Sequence, residues 1–494
     1  MRSEDQEPLS RATQLDSPVL ALFIFEPLYR KHPDFAWRHW QFQYHSALEI
    51  RRKLAELGIE MLLLHGEAVP IFDFIFRAAS TDKLYSYRET GVKASYERDI
   101  ALRKLCKERG VKWYEYDKNG VQRGLKNRQQ WDENWRDYMN QPLMPAPPAR
   151  EALHLNFTNE LQRQFALPPE LITRLKNFPS TFQKAGEAAA HKRMNLFLQE
   201  KVANYQRYIS KPELSREYCS RLSVYLAWGN LSLRQVYQSA SDLYRNTENK
   251  FALRSFLSRL HWHSHFVQKF EMEERMEFEN INRGFDAIDR KVQADLLEAW
   301  KKGETGIPLI DAAMAALRES GYLNFRMRAM LVSFLSHHLW QPWQAGVHHL
   351  AQLFLDYLPG IHYPQFQMQS AVTGINAVRV YNPVKQSLDH DPQGRFIARY
   401  LPQLAQLPDE FIHQPWLLSE MEQTMYNFKL GRDYPKPVIE HLSAATDARQ
   451  KLHAAKKWPL VQLENRRILA KHTTADRNID RRSAKIIASK NQSQ

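Results

Sequence analysis

Between residues 18 and 116, short apolar runs alternate with amphipathic ones, and this alternation constrains the fold more than any other feature. "PVLALFIFE" (18–26) and "IEMLLLHG" (59–66) are nearly all apolar, as for strands buried on both faces. "KLYSYRE" (83–89) and "VKWYEY" (111–116) read as two further strands. "HSALEIRRKLAELG" (45–58), "AVPIFDFIFRAA" (68–79) and "YERDIALRKLCKERG" (96–110) read as helices between them. A βαβα order implies a parallel sheet covered by helices. Such a sheet normally begins with a strand, yet Met1 leads straight into "RSEDQEPLSRA", which reads as the segment after one. The first strand is expected upstream of Met1. Without it an edge lies open, and the first domain is expected to fold poorly.

A second pattern takes over further on. "NQPLMPAPPARE" (140–151) carries four prolines between Pro142 and Pro148, which is linker chemistry. From about residue 186 the chain reads as helices with short loops. At 494 residues it is too long for one ordinary core. The expected organisation is an α/β domain over 1–128, an interdomain linker over 129–185, an all-α domain over 186–460 and a basic tail over 461–494. In that tail Arg466, Arg467, Lys471, Arg477, Arg481, Arg482, Lys485 and Lys490 outnumber the acids.

Composition narrows the function. The two cysteines, Cys106 and Cys219, cannot build a disulfide framework, a structural zinc site or a four-thiolate cluster, and they fit a reducing cytoplasm. No run of 18 apolar residues suggests a membrane span. The net charge of +14, with a pI near 9.5, points to a polyanion such as nucleic acid; a merely soluble basic surface is the alternative.

No P-loop, G-x-G-x-x-G, G-x-S-x-G or H-E-x-x-H occurs. "HWHSH" (261–265) puts His261 and His265 on one helix face without a third ligand nearby, so polar contacts explain it better than a metal. Two features carry more. "YCSRLSVYLAWGNLSLRQ" (218–235) places Ser220, Ser223, Asn230 and Ser232 where helices would start, a setting that suits caps or phosphate. "SGYLNFRMRAMLVSFLSHHLW" (320–340) reads as a buried helix with Arg326 and Arg328 in its middle. A buried arginine is costly unless an anion or a fixed hydrogen-bond partner meets it.

With "SRLSVYLAWGNLS", "TGIPLIDAAMAALRESGY", "RMRAMLVSFL" and "YNPVKQSLDHDPQGRFIARYLPQL" in order, the chain resembles the photolyase/cryptochrome family of flavoproteins, and in detail its plant-photolyase-like members. The resemblance runs to about residue 415. It implies a Rossmann-like antenna domain, a long interdomain loop and a helical domain holding FAD. Arg328 then matches the arginine that pairs with an aspartate beside the flavin ring, and Asp356 matches that aspartate. Arg326 matches the arginine at the floor of the lesion cavity, and Trp262 the tryptophan lining it. Tyr208 stands at a position contacting the FAD phosphates. Ser220, Leu222 and Ser223 match the phosphate-binding "TSxLS", with Cys219 replacing the threonine. Asn382 and Pro383 match the "NP" of the loop after the flavin.

The departures are equally informative. The family spacing D-x-D-x-x-x-N-x-x-x-W, counted from Asp356, gives Leu358, His362 and Phe366. His362 thus stands in for the partner of flavin N5, and the proximal electron-donating tryptophan is a phenylalanine. Trp343 matches the middle tryptophan of the usual relay, and the outermost position falls near Arg290. Arg259 and Phe325 replace a glutamate and an asparagine of dimer-repairing members. The resemblance implies a light-driven enzyme passing an electron to pyrimidine dimers in DNA, or alternatively a cryptochrome-like photoreceptor. It implies FAD, an antenna chromophore of folate or deazaflavin type, and a monomer.

Overall fold

The computed structural model describes residues 1–473 except Asp16, Leu153, His154 and Asn249. All four expected strands form: β1 (Leu20–Phe25), β2 (Glu60–His65), β3 (Lys83–Tyr87) and β4 (Lys112–Tyr116). β1 and β2 run parallel with Leu22 opposite Leu62, and β3 and β4 run parallel with Tyr85 opposite Tyr114. The parallel pairing expected of an α/β domain is present, as two separate pairs among the described strands. Each of β1 and β3 uses a single edge, and no described strand bridges them. This leaves Leu20–Ile24 half-buried although every side chain there is apolar. The helix Glu7–Thr13 lies against β3 and β4.

The stretch expected as linker contains three helices, Trp131–Asn140, Thr158–Gln164 and Pro169–Lys176. The first forms because Trp131, Trp135 and Met139 recur every four residues and all three are buried. Burying a large apolar side chain stabilises by about 1.5–3 kcal/mol, enough to order a short helix against its neighbours. The proline-rich residues 141–150 stay irregular.

The helical domain follows as expected. Its largest core gathers Trp300, Leu317, Met330, Leu335, Trp343, Tyr363 and Phe366. The long helix Lys250–Glu271 packs along Pro359–Gln369, and Phe325–Ser333 packs on the same helix. The chain then returns in Pro459–His472, which docks through Glu273. That carboxylate meets Arg467, Lys471 at 3.2 Å and His472 at 3.5 Å. The start of the expected basic tail is therefore helical, while Arg477, Arg481, Arg482, Lys485 and Lys490 lie outside the described residues.

Candidate functional site

The helix Phe325–Ser333 begins at Asn324, whose side chain accepts from the Met327 amide and donates to the Ile209 carbonyl at 3.0 Å. This cap fixes where Arg326 and Arg328 project. Both are half-buried, which corrects the expectation of full burial. Arg328 donates from Nε to the Leu323 carbonyl at 2.8 Å and from Nη2 to Asp356 Oδ2 at 2.7 Å. Its guanidinium also lies 4.1 Å from the Phe354 ring centre. The group is thus held by a backbone carbonyl, a ring face and a carboxylate at once.

Asp356 is positioned by backbone contacts on its N-terminal side. Gly321 closes the helix Pro308–Ser320 at φ +65°, and an added Cβ would meet Leu355 Cβ at 2.7 Å. Only glycine permits this approach, which lets the Gly321 carbonyl accept from the Leu355 amide at 2.9 Å. Three successive carbonyls are also tied down. Leu353 accepts from Arg38, Phe354 from His39 Nε2 at 3.0 Å, and Leu355 from Trp228 Nε1 at 2.8 Å. Arg38 and His39 come from the helix Trp37–Glu56 of the α/β domain. Sequence reasoning did not find them, since nothing in "FAWRHW" distinguishes a residue that reaches across to another domain.

The result is a carboxylate only half used. Asp356 Oδ1 is buried and meets no hydrogen-bond partner. It borders a small cavity of about 10 Å³ lined also by Gln183, Ser223, Ser320 and Tyr322. Nearby, Arg216 and Arg221 both lie over the Tyr322 ring, at 5.7 and 4.3 Å. Arg221 sits at φ +53°, an uncommon conformation for a residue with a side chain. Its Nε is a second buried atom without a partner. Burial pushes Arg221 down to about 10, and burial pushes the Tyr322 phenol up to about 12. A buried carboxylate oxygen without a partner beside a cavity, with an unpartnered arginine nitrogen near the Tyr322 ring that lines it, suits a polar ligand.

The other expected site residues divide into two groups. Ser223 lines the cavity. The Ser220 carbonyl accepts from Arg193 Nε at 2.9 Å, while Leu222 is a core residue. Tyr208 packs on Tyr218 at 4.8 Å, with Lys211 over its ring. Ser232 is committed to a capping box with Gln235, and buried Asn230 donates to the Met1 carbonyl. Those two are caps and ties, not phosphate contacts. Asn382 likewise caps the helix Pro383–His390 by accepting from the Lys385 amide at 3.0 Å. Arg326 donates to Gln386 Oε1 at 3.0 Å, and among the described residues it pairs with no carboxylate. Trp262 is 37% exposed and packs on Phe266. His261, from the "HWHSH" run, contacts Asp132 at 2.8 Å.

His362 is buried, and its Nε2 donates to the Val347 carbonyl at 2.9 Å. Burial holds it down to about 4, so it is neutral at ordinary pH. Its ring lies 5.0 Å from Phe366 and 5.7 Å from Tyr363. Trp343 is fully buried, donates to Asn280 Oδ1 at 2.7 Å and lies 6.4 Å from Tyr363. Arg290, near the outermost relay position, lies 4.6 Å from the Trp340 ring centre.

Comparison with known proteins places the chain among relatives. The family model for DNA photolyase matches residues 1–122, and the model for the FAD binding domain of DNA photolyase matches residues 256–454. The deoxyribodipyrimidine photo-lyase of Alkalihalophilus pseudofirmus is 32% identical over 259 residues, spanning 52% of this chain and 53% of that protein. The cryptochrome DASH of Gloeobacter violaceus is 25% identical over 481 residues, spanning 90% of this chain and 92% of that one. In fold, the chain is similar to a Synechocystis cryptochrome, with TM-score 0.80 at 22% identity over 91% of this chain and 96% of that one. Two family models in the expected order and relatives along nearly the whole length lead to one assignment: the chain belongs to the photolyase/cryptochrome family of FAD-binding flavoproteins.

Proposed function

We propose that this protein uses blue light absorbed by FAD to drive electron transfer to pyrimidine dimers in DNA. The observation that carries the reading is the Arg328–Asp356 pair, with its free Oδ1 buried beside a cavity. The chemistry of the residues fits the cofactor. Asp356 Oδ1 is an acceptor for a ring N–H, Arg328 opposes negative charge on a reduced ring, and Arg221 with Ser223 suits a diphosphate. At about 10 Å³ the cavity has room for about one water, so a dinucleotide enters only if Tyr322 and the other side chains lining it give way. FAD supplies the photochemistry. The chain supplies a fixed carboxylate, a fixed guanidinium and a dry surround that keeps His362 neutral.

Trp262 and Phe325, 37% and 43% exposed, offer rings on which an unpaired base can stack, and the +14 charge supports a DNA backbone partner. The two free, buried cysteines suit a reducing cytoplasm. Among the described residues no helix is long and apolar enough to cross a membrane. A monomer and an antenna chromophore of folate or deazaflavin class belong to the same proposal; the Sulfolobus tokodaii photolyase, similar in fold, carries two FAD molecules.

A cryptochrome-like photoreceptor is the second reading. Arg259 and Phe325, both exposed, stand where dimer-repairing members carry a glutamate and an asparagine. The deciding experiment illuminates the purified protein with dimer-containing oligothymidylate. Flavin absorbance with light-dependent restoration of thymine absorbance supports repair. Flavin absorbance with photoreduction but no restoration supports the receptor. Absence of flavin defeats both.

A further inference from the structure

Asp34 lies in the loop before the helix Trp37–Glu56 of the α/β domain, yet it is buried against the helical domain. Its Oδ2 accepts from the phenols of two tyrosines at once, Tyr357 and Tyr363, the latter at 2.8 Å. Its Oδ1 meets His348 Nδ1 at 2.6 Å. The His348 side chain is 40% exposed, so this contact leads to water. His32 lies 3.6 Å from the same carboxylate and bridges to Glu277 at 3.2 Å. Two of these groups, Tyr363 and the His362 beside it, belong to the helix that carries Phe366.

Tyr363 occupies a particular place in this arrangement. Arg328 stands over Phe354, whose ring is 6.2 Å from His362; His362 is 5.7 Å from Tyr363, and Tyr363 is 6.4 Å from Trp343. Tyr363 is the oxidisable ring that meets both His362 and Trp343; Tyr357 also meets His362, at 5.4 Å, and neither Phe366 nor Phe354 gives up an electron readily. A buried phenol resists oxidation unless its proton has somewhere to go. Here the acceptor is already hydrogen-bonded.

We propose that Tyr363 is a redox-active phenol in this protein, with Asp34 as its proton acceptor and His348 as the exit to water. The proposal rests on the flavin reading above for its oxidant, a photoexcited oxidised flavin. In the step, the Tyr363 O–H bond breaks and its proton passes to Asp34 Oδ2. One electron passes to the oxidant, leaving a neutral tyrosyl radical and a neutral Asp34 carboxyl group. A thiol reductant returns the electron, and Asp34 returns the proton. Burial alone would raise Asp34, but His348, His362 and Tyr357 hold it below the usual carboxylate range, so it starts ionised and ready to accept.

The test uses the full-length protein with flavin confirmed by its absorption spectrum, illuminated with blue light. Electron paramagnetic resonance should detect a neutral tyrosyl radical that survives Tyr357→Phe and disappears in Tyr363→Phe. The light-minus-dark infrared difference spectrum should gain a protonated carboxyl band that is absent in Asp34→Asn. Photoreduction should slow at least tenfold in Tyr363→Phe and lose its solvent deuterium effect. Because Asp34→Asn can loosen the domain contact, Tyr363→Phe, which leaves Tyr357 and His348 on Asp34, serves as the second variant. A tryptophan radical alone, with Tyr363→Phe at the wild-type rate, overturns the proposal while leaving the flavin reading intact. A preparation without flavin overturns that reading first and this proposal with it.

Discussion

Two Arg–Asp pairs in this molecule use the same two side chains for opposite ends. Arg234 and Asp5 are each 1% exposed and completely engaged. Arg234 Nε reaches both carboxylate oxygens, at 3.1 and 3.2 Å, Nη1 donates to Gln141 and the guanidinium lies over Tyr138. The Met144 amide donates to Asp5 Oδ1 as well. Every strong group has a partner within the chain, and the pair ties the N-terminal segment to the helix Leu233–Arg245. Arg328–Asp356 is joined through one nitrogen and one oxygen, with Oδ1 buried and free. A closed pair holds a structure together, while an open pair keeps a binding group in reserve. The difference lies in satisfaction as well as in burial, the Arg328 side chain being 26% exposed and that of Arg234 1%.

Acid gives the largest separation of the two regions. The segment bearing Asp356 is held by His39, and His362 lies a turn beyond; burial holds both down to about 4. Unfolded histidine takes a proton near 6.5. Between pH 6.5 and 4 the unfolded chain therefore binds more protons than the folded one, and stability falls as pH falls. Each histidine contributes a slope of at most about 1.4 kcal/mol per pH unit, so the two together can cost several kcal/mol by pH 4. Urea midpoints measured across this window should drop steeply. His39→Gln and His362→Gln should each flatten the curve, and an unchanged slope in both would separate the Asp356 region from the acid response.

Next in size is Asp5→Ala. It leaves Arg234 buried without a counter-charge, at a cost of about 3–5 kcal/mol. Denaturant unfolding checks this directly. A loss below about 1 kcal/mol, as for an exposed pair, would remove the distinction drawn between the two pairs.

Much of this contrast was not legible in the sequence. The strands were, because "LALFIF" and "EMLLLH" are apolar on both faces, and so were the helices, whose periodicity is local. The Arg328–Asp356 pair was reached through family resemblance. Spacing alone does not join residues 28 apart in chain. Arg234–Asp5, 229 residues apart, and Tyr363–Asp34, 329 apart, left no trace. Each depends on how two domains meet, and neither periodicity nor capping encodes that. The separation of the strands into two pairs was also missed, because an apolar run says that a strand is buried but not which neighbour it takes.

Arg328→Ala should cost less stability than Asp5→Ala, although it also strips a buried carboxylate. The Arg328 side chain is 26% exposed, so water reaches part of the space it leaves, and about 1–3 kcal/mol is expected. The larger consequence is functional. Purified Arg328→Ala should carry much less flavin than wild type, whereas Asp5→Ala, where it folds, should retain it. Equal flavin content in the two variants would mean that the open pair is not the cofactor's partner.

The smallest effect is expected at the third arginine contact. Among the described residues Arg326 meets the neutral Gln386, at 3.0 Å, and no carboxylate, and both side chains are half-buried. Gln386→Ala removes one hydrogen bond that water can replace, so stability should change by no more than about 0.5 kcal/mol. Flavin content should not change, because Gln386 does not touch the Asp356 cavity. DNA is the informative readout. With Gln386 gone, the Arg326 guanidinium is freer to meet a phosphate, so affinity for single-stranded oligothymidylate should hold or rise. Arg326→Ala should weaken it and lower its salt dependence by about one counterion. A loss of flavin in Gln386→Ala would extend the cofactor's neighbourhood to the Pro383–His390 helix, and an unchanged salt dependence in Arg326→Ala would take Arg326 out of the DNA-facing surface.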